Sequence, residues 1–224
     1  MPLSCVEIET TPHPTHAVIW LHGLGADGHD FEPIVPQLVA PSWPPLRFVF
    51  PHAPVRSVTI NGGARMRAWY DIAGADIAAR QDADGVRASI GLIDELIARE
   101  GTRGIGSDQV LLAGFSQGGA IALAAGLRHA TRLAGVIALS SYLPLHETTA
   151  SECAAANADL PIFMGHGSHD PVVPESLGEL SRDVLRGLGH DVEWHSYAMA
   201  HQVCAEEVAD LRVWLGSHLV ATRR

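Results

Sequence analysis

Three residue types in one chain, a serine, an aspartate and a histidine in that order, could carry out acyl transfer. Ser116 sits in a Gly-x-Ser-x-Gly turn, flanked by Gly114 and Gly118, between an apolar run at 110–113 and a small-residue segment at 119–128. A serine at such a strand-to-helix turn projects its hydroxyl above the sheet edge, and the glycines let neighbouring backbone come close. A helix opening at Gln117 would aim its unpaired N–H groups and positive dipole end at the same point. A glycine-rich turn with a capping serine is the plain alternative, so the motif needs partners.

A serine hydroxyl is a weak nucleophile until a general base takes its proton. The base in turn needs a carboxylate to fix its tautomer and stabilise the imidazolium. In open α/β sheets these groups come from loops at the carboxyl ends of strands. Two loops after Ser116 qualify. The stretch 166–174, after a strand at 161–165, offers Asp170; the stretch 198–202, between the last strand and the terminal helix, offers His201. The other acids are poorly placed: Asp159 precedes its strand, Asp183 lies within a helix and Asp191 opens a strand. His166 and His169 adjoin Asp170 in sequence, but a triad draws its members from separate loops, so loop hydrogen bonding suits them better. His195 falls inside a strand and His190 before it. With no His-Glu-x-x-His and no cysteine pair, the histidine-rich stretch does not read as a metal site.

The first buried run, 17–21, leads into a loop carrying Gly23, Gly25 and Gly28. Their spacing is that of a dinucleotide-binding fingerprint, which also demands a helix packed directly after the glycines and an acid about 20 residues on. Pro33 and Pro36 interrupt the next segment and no Asp or Glu occurs at 41–51. The loop is better read as half of an oxyanion hole. The backbone N–H of Leu24 would be one donor and that of Gln117 the other. Trp69 and Tyr70 fall in a loop-rich stretch, where pocket lining and core packing are equal alternatives. An exposed apolar rim around them would serve substrate binding or a homodimer contact.

The elements that must position these residues alternate. Strands are expected at 5–9, 17–21, 46–50, 110–113, 133–139, 161–165 and 192–197, and helices at 81–98, 119–128, 175–188 and 206–219. In the first of those helices Val86, Ile90, Ile93, Leu96 and Ile97 recur at helical spacing. Such alternation implies a parallel sheet covered on both faces. At 224 residues, 47% hydrophobic and 18% charged, the chain reads as a single domain spanning 1–224. A net charge of −10 argues against nucleic acid and anionic membrane as partners. Three scattered cysteines imply neither disulfides nor a zinc site, and no signal or membrane-spanning segment is evident, so a cytoplasmic address without stable membrane anchoring is expected.

Several motifs in register resemble the phospholipase/carboxylesterase family of α/β-hydrolases: the stretches 21–25, 51–54, 67–71, 114–119 and 165–170, together with the His201 loop. The resemblance implies an α/β-hydrolase fold, with a mostly parallel central sheet, helices on both faces and no large cap domain. It further implies a cofactor-free serine esterase with Ser116, Asp170 and His201 as triad and Leu24 and Gln117 as oxyanion donors. The chain departs from the family in reading Ala200 where a glycine often precedes the histidine, and His29 is a rim residue outside the shared pattern. The expected substrate is a short- to medium-chain carboxylic ester; the alternative is a lysophospholipase or acyl-protein thioesterase acting on longer chains. A non-catalytic binding protein is disfavoured by the intact triad.

Overall fold

The computed structural model describes residues 3–74 and 81–221. In chain order its strands are β1 (Cys5–Glu9), β2 (His16–Leu21), β3 (Leu46–Pro51), β4 (Val55–Val58), β5 (Ala64–Arg67), β6 (Val110–Phe115), β7 (Gly135–Leu139), β8 (Ile162–Gly167) and β9 (Val192–Tyr197). The helices are α1 (Val35–Leu38), α2 (Ala83–Thr102), α3 (Gln117–Arg128), α4 (His146–Glu152), α5 (Glu175–Gly187) and α6 (Ala205–Ala221). Seven strands form one sheet in the order β1-β3-β2-β6-β7-β8-β9. Only β1 runs antiparallel to its neighbour.

The apolar runs explain the layers. In β2, Ala17, Ile19 and Leu21 enter one core while Val18 and Trp20 enter the other. A strand covered on both faces is predominantly apolar, and β2, β3, β7 and β8 are buried throughout, the one arginine among them, Arg47, being paired with Glu100. Helices α2, α3 and α5 cover the first face, and α1 and α6 the second. The five apolar positions of α2 are all buried, each stabilising the fold by about 1.5–3 kcal/mol. Asp82 caps this helix by accepting from the Gly85 N–H at 2.9 Å.

Besides the four-residue α1, two elements were not expected. The β4–β5 hairpin closes around Asn61 and Gly62, but its strands carry arginines and lie largely outside the core. Helix α4 buries only Thr149. Neither has the apolar period that marks an element in sequence. No helix among the described residues is long and apolar enough to cross a membrane.

Candidate active site

The parallel register brings the ends of β2, β6, β8 and β9 to one edge of the sheet. Ser116 closes β6 and opens α3 with φ 54° and ψ −121°, a conformation few non-glycine residues adopt. The turn is held on both sides: the Ser116 N–H donates to Leu139 O at 2.8 Å, and Ser141 Oγ donates to Ser116 O at 2.8 Å. Its glycines are steric necessities. A Cβ on Gly114 would lie 2.3 Å from the Gly118 backbone, and one on Gly118 would lie 2.2 Å from Leu21 O.

The structure brings Ser116, His201 and Asp170 into one line. His201 Nε2 is 2.9 Å from Ser116 Oγ, and His201 Nδ1 is 2.6 Å from Asp170 Oδ2. The second carboxylate oxygen of Asp170 accepts from the N–H groups of Val172 and Val173 at 2.8 and 2.9 Å, so the buried group is fully engaged. The Phe115 ring packs 4.7 Å from the His201 ring. The loop carrying His201 lies directly on β8, where a Cβ on Gly167 would meet Ala200 O at 2.4 Å. Ala200 itself is not among the residues with positive φ, so an alanine fits there without backbone strain.

The remaining candidates lie elsewhere. His166 Nε2 comes within 3.7 Å of Asp170, but it bonds Val173 O at 2.9 Å, and burial pushes its pKa down. His169 touches Ser168. His195 stacks on Phe163 and pairs with Glu193 and Asp210. Asp159 pairs with Arg132, and Asp183 with Arg182. Among the described residues, no group of three His, Cys, Asp or Glu side chains is arranged to hold a metal ion.

The glycine loop lies beside the serine, since a Cβ on Gly23 would sit 3.6 Å from Ser116 Cβ. It leads into a single 3-10 turn, Glu32–Ile34, and the four-residue α1, not the long packed helix of a dinucleotide site. Among the described residues, the backbone N–H groups of Leu24 and Gln117 have no protein acceptor.

Trp69 and Tyr70 correct the expectation of an exposed rim. They are 0% and 2% exposed, so neither offers a surface to substrate or to a second copy. The Tyr70 hydroxyl pairs with that of Tyr142 at 2.7 Å, in a setting whose burial drives its pKa well up. Of the two alternatives open in the sequence, pocket lining and core packing, their burial fits core packing; the polar, arginine-rich hairpin that precedes them leaves the choice undecided in the sequence. Sequence reasoning also passed over His22, Ser141 and the side chain of Gln117, all buried at the site edge. A histidine closing a wholly apolar strand was the available signal for the first.

The phospholipase/carboxylesterase family model matches residues 3–219. Over 223 residues the chain is 35% identical to acyl-protein thioesterase 1 of Yarrowia lipolytica, a match covering 97% of this chain and 98% of that relative. The crystal structure of Arabidopsis thaliana SOBER1 superposes with a TM-score of 0.86 at 29% identity, over 91% of this chain and 99% of that one. The crystal structure of Zea mays acyl-protein thioesterase 2 gives 0.83 at 28%, over 96% and 99%. The chain belongs to the phospholipase/carboxylesterase family of α/β-hydrolases and is a serine hydrolase.

Proposed function

We propose that the protein hydrolyses thioesters, and the corresponding oxygen esters, of medium to long acyl chains through an acyl-enzyme on Ser116. The observation that carries this reading is the hydrogen-bonded line from Asp170 through His201 to Ser116, with links of 2.6 and 2.9 Å. In the reaction, Ser116 Oγ attacks the acyl carbon while His201 Nε2 takes its proton. The Leu24 and Gln117 N–H groups hold the developing oxyanion, each contributing about 3–4 kcal/mol. Collapse of the tetrahedral species expels the thiol or alcohol, which receives the proton from His201. Water then attacks the acyl-enzyme, giving a proton to His201, and the acid leaves as Oγ is reprotonated. Asp170 keeps the imidazole in its Nδ1–H tautomer and stabilises the imidazolium. The groups named all come from one copy of the chain, read as one domain.

The longer-chain thioester reading is supported by the full-length relative that carries the acyl-protein thioesterase name. Hydrolysis of short-chain esters is the second reading, favoured by the carboxylesterase half of the family description. Acyl thioesters and p-nitrophenyl esters of increasing chain length, with wild type and Ser116→Ala, separate the two. We expect turnover to rise with chain length and the variant to lose about 10,000-fold or more in kcat. A short-chain optimum would select the second reading; a variant that keeps turnover would remove both.

A further inference from the structure

Between the two expected oxyanion donors runs a continuous buried chain of hydrogen bonds in which neither donor N–H itself takes part. Its centre is Trp69. The side-chain amide of Gln117 grips this bend twice: Oε1 accepts from the Trp69 N–H at 2.8 Å, and Nε2 donates to Tyr70 O at 2.8 Å. The Trp69 indole Nε1–H donates in the other direction, to His22 O at 2.9 Å. Ser89 Oγ of α2 donates to Trp69 O, which ties the segment to the helix layer.

From His22 the chain reaches the other donor through a single peptide plane. His22 Nε2 accepts from the Ala53 N–H at 3.0 Å, so the proton of the neutral ring is on Nδ1 and is donated to Gly23 O at 2.7 Å. Gly23 O and the Leu24 N–H are opposite ends of one trans peptide unit. Gripping the oxygen aims the N–H the other way, and polarising the carbonyl strengthens the N–H as a donor. One residue further on, the Gly25 N–H donates to Arg67 O at 2.9 Å, so the Leu24 residue is pinned on both sides.

We propose that Trp69 is a positioning residue for the hydrolytic reaction, clasping the Leu24 and Gln117 N–H groups into one rigid oxyanion hole through its indole N–H and its backbone N–H. The proposal rests on the reading of Ser116 as nucleophile and of those two N–H groups as oxyanion donors. Trp69 touches no substrate; it acts by fixing where two dipoles point before charge develops. Preorganised donors act on the transition state and not on the ground state. Loss of the clasp should therefore appear in kcat and leave KM almost alone.

Trp69→Phe keeps an aromatic ring in the core and deletes the indole donor, together with some buried volume that lowers stability without itself moving the adduct pKa. We expect kcat to fall about tenfold with KM within about twofold of wild type. A carbon-13-labelled trifluoromethyl ketone gives a direct reading of the hole, because its adduct with the serine carries an oxyanion whose pKa can be titrated by NMR. That pKa should rise by about one unit in Trp69→Phe, matching the loss in kcat. Gln117→Met cuts the other link while keeping the backbone N–H. It should move both quantities the same way, and the double variant should cost less than the sum because both changes break one chain. Should Trp69→Phe not fold, Gln117→Met decides alone. A folded variant of lower thermal stability with unchanged kcat and unchanged adduct pKa overturns the proposal and leaves Trp69 a packing residue. An adduct that still forms in Ser116→Ala overturns instead the serine reading beneath it.

Discussion

Buried polar groups gather at both ends of the sheet, and the two ends solve the problem of burying them in opposite ways. At the amino end of the parallel strands the groups are charged. Glu100 of α2, wholly buried, accepts from Arg47 at 2.6 Å, Arg99 at 3.1 Å and Arg103 at 2.9 Å, and those arginines reach on to Glu7 and Glu9 of β1. At the carboxyl end, around Ser116, most of the groups are neutral: amides, hydroxyls, an indole and imidazoles that accept backbone N–H bonds. An ionic knot is indifferent to pH across a wide range but cannot lose a member. Protonating the neutral imidazoles breaks the backbone hydrogen bonds they accept, which makes the working end of the molecule its titratable end. A hole that must stabilise an arriving oxyanion gains nothing from rival fixed charges beside it, so the division matches the proposed chemistry.

The largest effect that would break this comparison belongs to Glu207, near the start of α6. Among the described residues, the Glu207 carboxylate makes no well-formed hydrogen bond, only a weak approach from the Cys204 backbone, and Oε1 lies against Gly165 of β8, the strand that leads into the Asp170 loop. Burial pushes its carboxyl up to about 8, with the Cys204 backbone pulling it partly back and the charge of Asp210 pushing it further. A raised folded-state value means stability that is complete below the ordinary carboxyl range and is lost as pH rises toward 8. Glu207→Gln should abolish that decline, a difference on the order of several kcal/mol between the ends of the window, measured by urea unfolding from about pH 5 to about pH 9. Parallel pH profiles for variant and wild type would mean that Glu207 is ionised in place. The next effect tests the other end. Glu100→Gln leaves Arg47 buried against half its former countercharge and should cost about 3 kcal/mol, while kcat of the folded enzyme stays unchanged. Burial works against the charge of Glu7, but the hydrogen bond from Arg103 and the charge of Arg99 outweigh it and hold that carboxyl below its usual range, so the deficit should not vary near neutrality.

Most of this architecture was legible in the sequence, for a physical reason. Strands buried on both faces are dominated by apolar residues, so β2, β3, β6, β7 and β8 announced themselves, and the predicted strand at 192–197 coincides with β9. Chain order and loop placement were enough to choose Asp170 and His201, whose carboxylate and ring the structure then sets in line with Ser116. What escaped lacked periodicity. The β4–β5 hairpin mixes arginines with isolated apolar residues, and α4 is a polar seven-residue helix, so neither leaves a pattern to read. For Trp69 and Tyr70 the sequence left core packing and pocket lining level, because burial of a loop residue is decided by what folds over it, here Gln117, His22 and Tyr142, all distant in sequence.

The same neutral network sets the acid limit of the working end. His22 accepts from the Ala53 N–H at 3.0 Å and His52 accepts from the Gly28 N–H at 3.1 Å, so protonating either ring breaks a backbone hydrogen bond at the glycine loop. Burial holds the His22 pKa below the ordinary histidine value, and burial together with the charge of Arg67 does the same for His52. A depressed folded-state value means that nothing changes above about pH 6.5, where both states are neutral. Below it the unfolded chain takes up protons that the folded one refuses, and stability drains until the folded rings titrate. Each broken bond should cost about 1 kcal/mol, a smaller effect than those of Glu207 and Glu100. Amide hydrogen exchange locates it: between about pH 7.5 and about pH 5.5, protection at Ala53 and Gly28 should fall once corrected for the intrinsic rate. Amides of β1 and β3 beside the ionic knot should keep theirs. Equal losses at both ends would mean that the whole fold titrates as one unit and that the neutral and ionic ends are not separate in their response to acid.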